Sequence, residues 1–215
     1  MKTILLTAAI GVAFALGTTL EANATITTYT DEPVFKTKIM SGYYLNDFHD
    51  VTPGDQEVNN KVYADSGYSY SIKSTTLYDG QSGLWGLPST ISVTVPYDSL
   101  VVDFTSGNVT AVGGTGYLTD IGGALYPPGT VTVTLGDGTK VTTDTKNFFG
   151  FTSVGVAIKS LEITSDLPPN YYPSLANFYV GAAVPEPSTF VAGLLLALLI
   201  GSHWALPERK QAKNS

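Results

Sequence analysis

The sequence predicts an all-β protein, an antiparallel β-sandwich, with a jelly roll as the first arrangement and an immunoglobulin-like sandwich as the second. Three observations carry this. Between residues 25 and 183 helical periodicity is almost absent. Short runs of Val, Ile, Thr and Tyr recur instead, bounded by Gly, Pro, Asn and Asp and spaced about 10 to 15 residues apart. There are no cysteines, so the chain must bury a core of its own without disulfide staples. About ten strands in about 160 residues suit two stacked sheets. No repeat period points to a β-helix.

Residues 26–29 and 34–40 read as opening strands. The polar stretch 46–60, with Pro53-Gly54-Asp55, reads as a long loop. Residues 68–77 set Tyr68, Tyr70 and Ile72 against Ser69, Ser71 and Lys73, a two-faced strand. Residues 78–89 read as a second loop, carrying Trp85. Ile91, Val93 and Val95 alternate with Ser92 and Thr94, and Pro96 ends that strand. Residues 100–104 (LVVDF) are more continuously apolar, as in a strand buried on both sides or crossing the core. Residues 109–112 lead into Gly113-Gly114. Val131, Val133 and Leu135 alternate with Thr132 and Thr134, Gly136-Asp137-Gly138 turns the chain and residues 139–143 return it, the clearest hairpin of the sequence. Residues 148–151 (FFGF) are dense in aromatics, residues 161–164 alternate, and residues 178–180 form the last strand.

The two ends read differently. Met1-Lys2, the apolar residues 4–16 and the small-x-small site Ala22-Asn23-Ala24 make residues 1–24 a secretory signal peptide, with cleavage after Ala24. Residues 25–183 are then the ectodomain and residues 184–215 a separate tail. Pro185 and Pro187 lack a backbone N–H and restrict the residues before them, so Pro185-Glu186-Pro187 is an extended linker. Residues 188–206 contain no Asp, Glu, Lys or Arg. At about 1.5 Å per residue they reach roughly 28 Å as a transmembrane helix, enough for the hydrocarbon core. Arg209, Lys210 and Lys213 keep the far end cytoplasmic.

The order Pro185-Glu186-Pro187-Ser188, short apolar helix, then Arg209-Lys210, resembles a PEP-CTERM sorting signal. The resemblance implies export through the inner membrane of a Gram-negative bacterium and a membrane-held stage. Recognition and cleavage by an exosortase and transfer to the cell surface or extracellular matrix would follow, in an organism that makes extracellular polysaccharide. From Leu100 onward a second resemblance rests on Val102-Asp103-Phe104-Thr105, Ala111-Val112-Gly113-Gly114, the 131–143 hairpin, Phe148-Phe149-Gly150-Phe151, residues 158–163 and Leu175-Ala176-Asn177-Phe178. These are similar to the jelly-roll, galactose-binding-like ectodomains that precede such tails.

Residues 25–187 carry 16 Asp and Glu against 7 Lys and no Arg, a balance of −9. Nucleic acid and anionic lipid are therefore not expected as partners. No catalytic constellation is recognisable. His49, the one histidine between residues 25 and 183, sits in Asn46-Asp47-Phe48-His49-Asp50 and reads as a solvated loop residue before it reads as a base or a metal ligand. No serine occupies a G-x-S-x-G elbow. A glycosidase needs two facing carboxylates, whereas Asp55, Asp79 and Asp137 stand at turns for turn-chemical reasons. Asp103 interrupts an apolar strand and reads as a Ca²⁺ ligand or catalytic acid, or as a solvent-facing residue.

No cofactor is expected. A structural Ca²⁺ would take oxygens from loop acids such as Asp31, Glu32, Asp47, Asp50, Asp55 and Asp120, though no EF-hand spacing is present. For glycan binding, which needs an aromatic plane for the C–H face of a sugar, Trp85 in Gly83-Leu84-Trp85-Gly86 with Tyr78 is the first candidate. Tyr43-Tyr44 and Tyr171-Tyr172 are the next. The expected function is a non-catalytic surface or matrix module that binds, or is embedded in, exopolysaccharide. The alternatives are a glycan-active hydrolase and a passive coat protein.

Overall fold

A computed structural model describes residues 25–52, 56–57, 60–75, 83–96, 98–125, 129–166 and 170–185. In chain order the elements are β1 (Thr25–Tyr29), α1 (Glu32–Lys36), β2 (Tyr44–Asn46), β3 (Gln56–Glu57), β4 (Lys61–Asp65), β5 (Tyr68–Ser74) and β6 (Leu84–Leu87). Then come β7 (Thr90–Val93), β8 (Leu100–Phe104), β9 (Ala111–Thr119), β10 (Thr130–Leu135), β11 (Lys140–Asp144), β12 (Phe148–Val154), β13 (Ser160–Ser165) and β14 (Tyr172–Gly181). They form two antiparallel sheets packed as a sandwich. The eight-stranded sheet runs β1-β12-β9-β14-β7-β6-β3 with β2 also paired to β14; the six-stranded sheet runs β11-β10-β13-β8-β5-β4. The signal peptide expected over residues 1–24, the transmembrane helix expected over 188–206, and Glu186, Pro187, Arg209 and Lys210 lie outside the described residues. Among the described residues no helix is long and apolar enough to cross a membrane.

The core lies between the sheets and follows the two-residue period of its strands. Tyr70 and Ile72 of β5, Leu100 and Val102 of β8, Val131 and Val133 of β10 and Leu161 and Ile163 of β13 point inward from one sheet. Val112 and Leu118 of β9, Phe149 and Phe151 of β12, Ile91 of β7 and Leu175 and Phe178 of β14 meet them from the other. The hairpin expected over residues 131–143 is β10–β11, with Thr134 opposite Lys140 and Gly138 at φ 91°.

Four expectations are corrected. Residues 34–40 are not a strand: Asp31 caps α1 by accepting from the Val34 N–H at 2.9 Å, and Pro33 sits in the first turn where its missing N–H costs nothing. Residues 84–87 are a strand rather than a loop; the glycine at 86 is needed because a Cβ there would lie 2.5 Å from the Thr52 carbonyl oxygen. Residues 100–104 bury one face only, leaving Val101 and Asp103 half exposed. Gly113-Gly114 does not end its strand, since β9 runs on to Thr119. Strand β4 has no counterpart among the expected strands, because only Tyr63 of its five residues is buried.

Rows of cross-strand partners shape the outer face of the eight-stranded sheet. At one end they set Tyr29, Gly150, Gly113 and Tyr179 side by side, two large side chains flanking two glycines. Helix α1 drops Phe35 into that notch. A Cβ at Gly150 would lie 2.8 Å from the Phe35 ring, and one at Gly113 would lie 3.1 Å from it. The ring is fully buried, 5.2 Å from Phe148 and 6.1 Å from Tyr179 between centroids. Tyr179 reaches the outer face through a bulge: Asn177 takes φ 46° and the register against β9 shifts between Ala176 and Tyr179. Phe178 is thereby turned into the core.

Candidate functional site

The opposite end of the same face carries a second row. Trp85 of β6 stands opposite Ser92 of β7, Ser92 opposite Ser174 of β14, and Ser174 opposite Tyr117 of β9. Directly opposed residues share a face, so two aromatic side chains again flank two small ones. Here the small residues carry hydroxyls. Ser174 Oγ lies 2.8 Å from Ser92 Oγ and 3.3 Å from Thr119 Oγ1, and Ser92 Oγ donates to the Val93 carbonyl at 3.3 Å. All three hydroxyl side chains are buried.

Among the described residues no helix covers this end. Trp85, Leu87, Ser92, Thr94, Thr119 and Tyr172 line an open pocket of about 180 Å³, completed by Asp120, Ile121 and Gly123. These last belong to a tight loop that follows β9. Asp120 Oδ1 accepts from the Gly122 N–H at 2.8 Å and the Ala124 N–H at 2.9 Å, and the Asp120 N–H donates to the Ala124 carbonyl at 2.9 Å. Gly123, at φ 77°, leaves no room for a Cβ against Leu87, so the loop leans on the pocket wall. Its tip, Ile121, is 85% exposed. Burial raises the Tyr117 phenol above its ordinary value, so it stays protonated near neutrality.

The residues singled out from the sequence fall in several places. Trp85 is half-buried and forms a wall of this pocket, and Tyr172 joins it. Tyr78 lies outside the described residues. Tyr43 packs on Tyr179 at 5.5 Å and Tyr44 on Tyr70 at 5.9 Å, which uses them as packing. Asp103 lies on the outer face of the six-stranded sheet, 2.6 Å from Lys73 Nζ. His49 and Asp47 pair at 2.6 Å in solvent on a loop pinned by the buried Phe48. Asp31 caps α1, Glu32 pairs with Lys36 at 2.7 Å, and Asp50 lies 3.5 Å from Lys61. Among the described residues no group of three or more His, Asp or Glu is arranged to hold a metal ion. Asp55 lies outside them, as do Ala22 and Ala24, and Pro185 is the last residue described, exposed.

Sequence reasoning missed the hydroxyl floor, and it read Asp120 as a loop acid for Ca²⁺ rather than as part of this pocket. Ser92 is recognisable in the sequence as an outward residue, but its partner Ser174 is 82 residues away, and nothing local announces that pairing. A second depression, of about 270 Å³, lies near Ile26, Leu135, Ser153 and Ile158 and has no aromatic side chain among its described lining. No family model matches this chain, and neither does a curated protein or a solved structure.

Proposed function

We propose that this chain is an exported surface or extracellular-matrix protein, sorted by an exosortase through residues 184–215, that contacts extracellular polysaccharide at the Trp85 pocket without chemical turnover. The observation that carries the reading is the make-up of that pocket. A sugar offers C–H faces to an aromatic plane and hydroxyls to polar groups; the pocket is lined by an indole, by the hydroxyl residues Ser92, Thr94 and Thr119, and by the acid Asp120. In the finer fold reading, strands β7 to β14 form a jelly roll. Their orders β7-β14-β9-β12 and β8-β13-β10-β11 support it, being those of two interleaved Greek keys.

Strand β14 relates the pocket to the tail. Tyr172, at its start, contributes to the pocket, and Ser174 lies buried behind Ser92. At its end the Met40 N–H donates to the Ala182 carbonyl and the Val184 N–H to the Lys38 carbonyl, both at 2.8 Å, directly before Pro185. Ten strand residues span about 33 Å. A chain held by its tail would therefore carry the pocket on the side away from the membrane.

The test is retention of the exported protein by its host's extracellular polysaccharide, for the wild type and for Trp85→Ala. Equal retention of the two would sink the assigned site. For sorting, the mass of the mature protein is compared in hosts with and without an exosortase; an intact tail in both would sink that part of the reading.

A further inference from the structure

We infer that the Trp85 pocket takes a single neutral pyranose residue and rejects uronate and sulfated sugars. The inference rests on the reading of that pocket as a glycan site and names which glycans it accepts.

Size comes from the protein itself. The sealed notch shows what two large residues flanking two small ones can hold, since Tyr29, Gly150, Gly113 and Tyr179 enclose one six-membered ring, that of Phe35. The open end repeats the spacing with Trp85, Ser92, Ser174 and Tyr117. The pocket beside it is lined by Trp85 and Ser92 of that row and by Thr119 and Tyr172 of the next, and its volume, about 180 Å³, is of the size of one ring with its substituents. The ring it suits differs from phenyl. A glycine floor offers a benzene ring only close contact, whereas the half-buried Thr94 on the pocket wall brings a hydroxyl, which has acceptor as well as donor capacity.

Charge sets the rest. Asp120 Oδ1 is occupied by the Gly122 and Ala124 N–H groups. The other carboxylate oxygen remains for sugar hydroxyls, and a hydrogen bond from a neutral donor to a carboxylate is among the stronger ones. Among the described residues lining the pocket there is no Lys, Arg or His. A carboxylate or sulfate on the sugar would face Asp120 with no cation to offset it, in a chain whose residues 25–187 already carry −9.

The experiment is calorimetric titration of the full chain in a non-glycosidic detergent with matched tetramers. The pairs are cellotetraose with its C6-oxidised counterpart, and β-1,4-mannotetraose with tetramannuronate. Within each pair only the C6 group changes. The expected result is binding of at least one neutral member, with its oxidised partner weaker by about tenfold, a factor worth 1.4 kcal/mol. Trp85→Ala should abolish that binding and Trp85→Phe, which keeps a flat ring, should retain it. Asp120→Asn, which keeps the Oδ1 acceptor of the loop, should narrow the gap between partners. Oxidised tetramers that bind as tightly as neutral ones would overturn the inference while leaving the glycan reading in place. So would a chain that holds its host's polysaccharide but neither neutral tetramer. Failure to bind polysaccharide and all four tetramers would remove the glycan reading as well.

Discussion

The two ends of one sheet face are built alike and finished differently. Each has two large side chains flanking two small ones across four strands. Around Gly150 and Gly113 the chain supplies its own filler, Phe35. Beside Ser92 and Ser174 no described residue plays that part, and the pocket there is edged by a loop whose tip, Ile121, stands in solvent. The difference teaches that fold alone does not decide which part of a sandwich face is free to bind. A glycine floor is an apolar seat, and filling it stabilises the protein. A hydroxyl floor gains less from a phenyl ring, and the open pocket beside it, with Trp85, Thr94 and Asp120 in its lining, suits a ligand that is both ring-shaped and polar.

The largest effect is expected at the sealed end. Phe35→Ala removes a fully buried ring packed on Tyr29, Phe148 and Tyr179, and should cost about 3 to 5 kcal/mol. Chemical denaturation measures the cost. Polysaccharide retention under native conditions should be unchanged, and its loss in a variant that still unfolds cooperatively would break the separation between the two ends. Ser174→Val comes next. It removes the central hydroxyl of the Ser92–Ser174–Thr119 chain and adds a methyl to a fully buried position, at about 1 to 3 kcal/mol. Unlike Phe35→Ala it should also weaken glycan retention.

How much of this is legible in the sequence depends on how local its cause is. The alternation of Val131, Val133 and Leu135 with threonines is contained in one strand, and so is the turn at Gly138; both are readable. Tyr29, Gly150, Gly113 and Tyr179 come from four strands spread over 151 positions of the chain, so their row exists only once the sheet is assembled. Gly86 reads as part of a loop and Gly113 as a strand end, because glycine commonly marks turns. Inside strands they, with Gly150, instead make room for Val51, Phe148 and Phe35. Trp85 stands out as a residue but reads as part of a loop, because its glycine neighbours look the same in either setting. Helix α1 has its signal in Asp31, Pro33 and the Glu32–Lys36 spacing, overridden by the β-branched residues around it.

A smaller effect attaches to the rim of the sealed end. Glu32 pairs with Lys36 at 2.7 Å and accepts from the Tyr179 hydroxyl at 2.5 Å. The Lys36 ammonium first, then that hydroxyl, holds its carboxyl below the ordinary glutamate value of 4.5. A carboxyl lowered on folding stabilises fully above the unfolded value, and the gain is lost as pH falls through the folded one. The pair is more than a third exposed on both sides, so Glu32→Gln should cost only a few tenths of a kcal/mol near neutrality. The cost should vanish in acid and shrink with added salt. A difference that persists at pH 2 would show that packing, not charge, seals this rim.

The smallest effect belongs to neither end, and that makes it the control. His49 Nδ1 lies 2.6 Å from Asp47 Oδ1, with both side chains mostly in solvent. The Asp47 carboxylate, chiefly through that hydrogen bond, raises the imidazole above its ordinary 6.5, and the histidine in turn lowers the Asp47 carboxyl below 3.8. For the histidine, the raised value means a contribution complete below 6.5 and lost as pH rises through the folded value. For the aspartate it is complete above 3.8 and lost as pH falls through the lowered one. The pair therefore acts in full in the mildly acid interval between 3.8 and 6.5 and fades outside it, and in solvent it acts weakly. An NMR titration should put the His49 midpoint above 6.5, and Asp47→Asn should bring it down. His49→Ala should leave glycan retention at neutral pH as it was, because His49 is no part of the pocket lining. If His49→Ala instead abolished retention while Trp85→Ala spared it, the binding face would have to be sought around the Asn46 to Asp50 loop, and the open row at Trp85 would be only an unfilled end of the sheet.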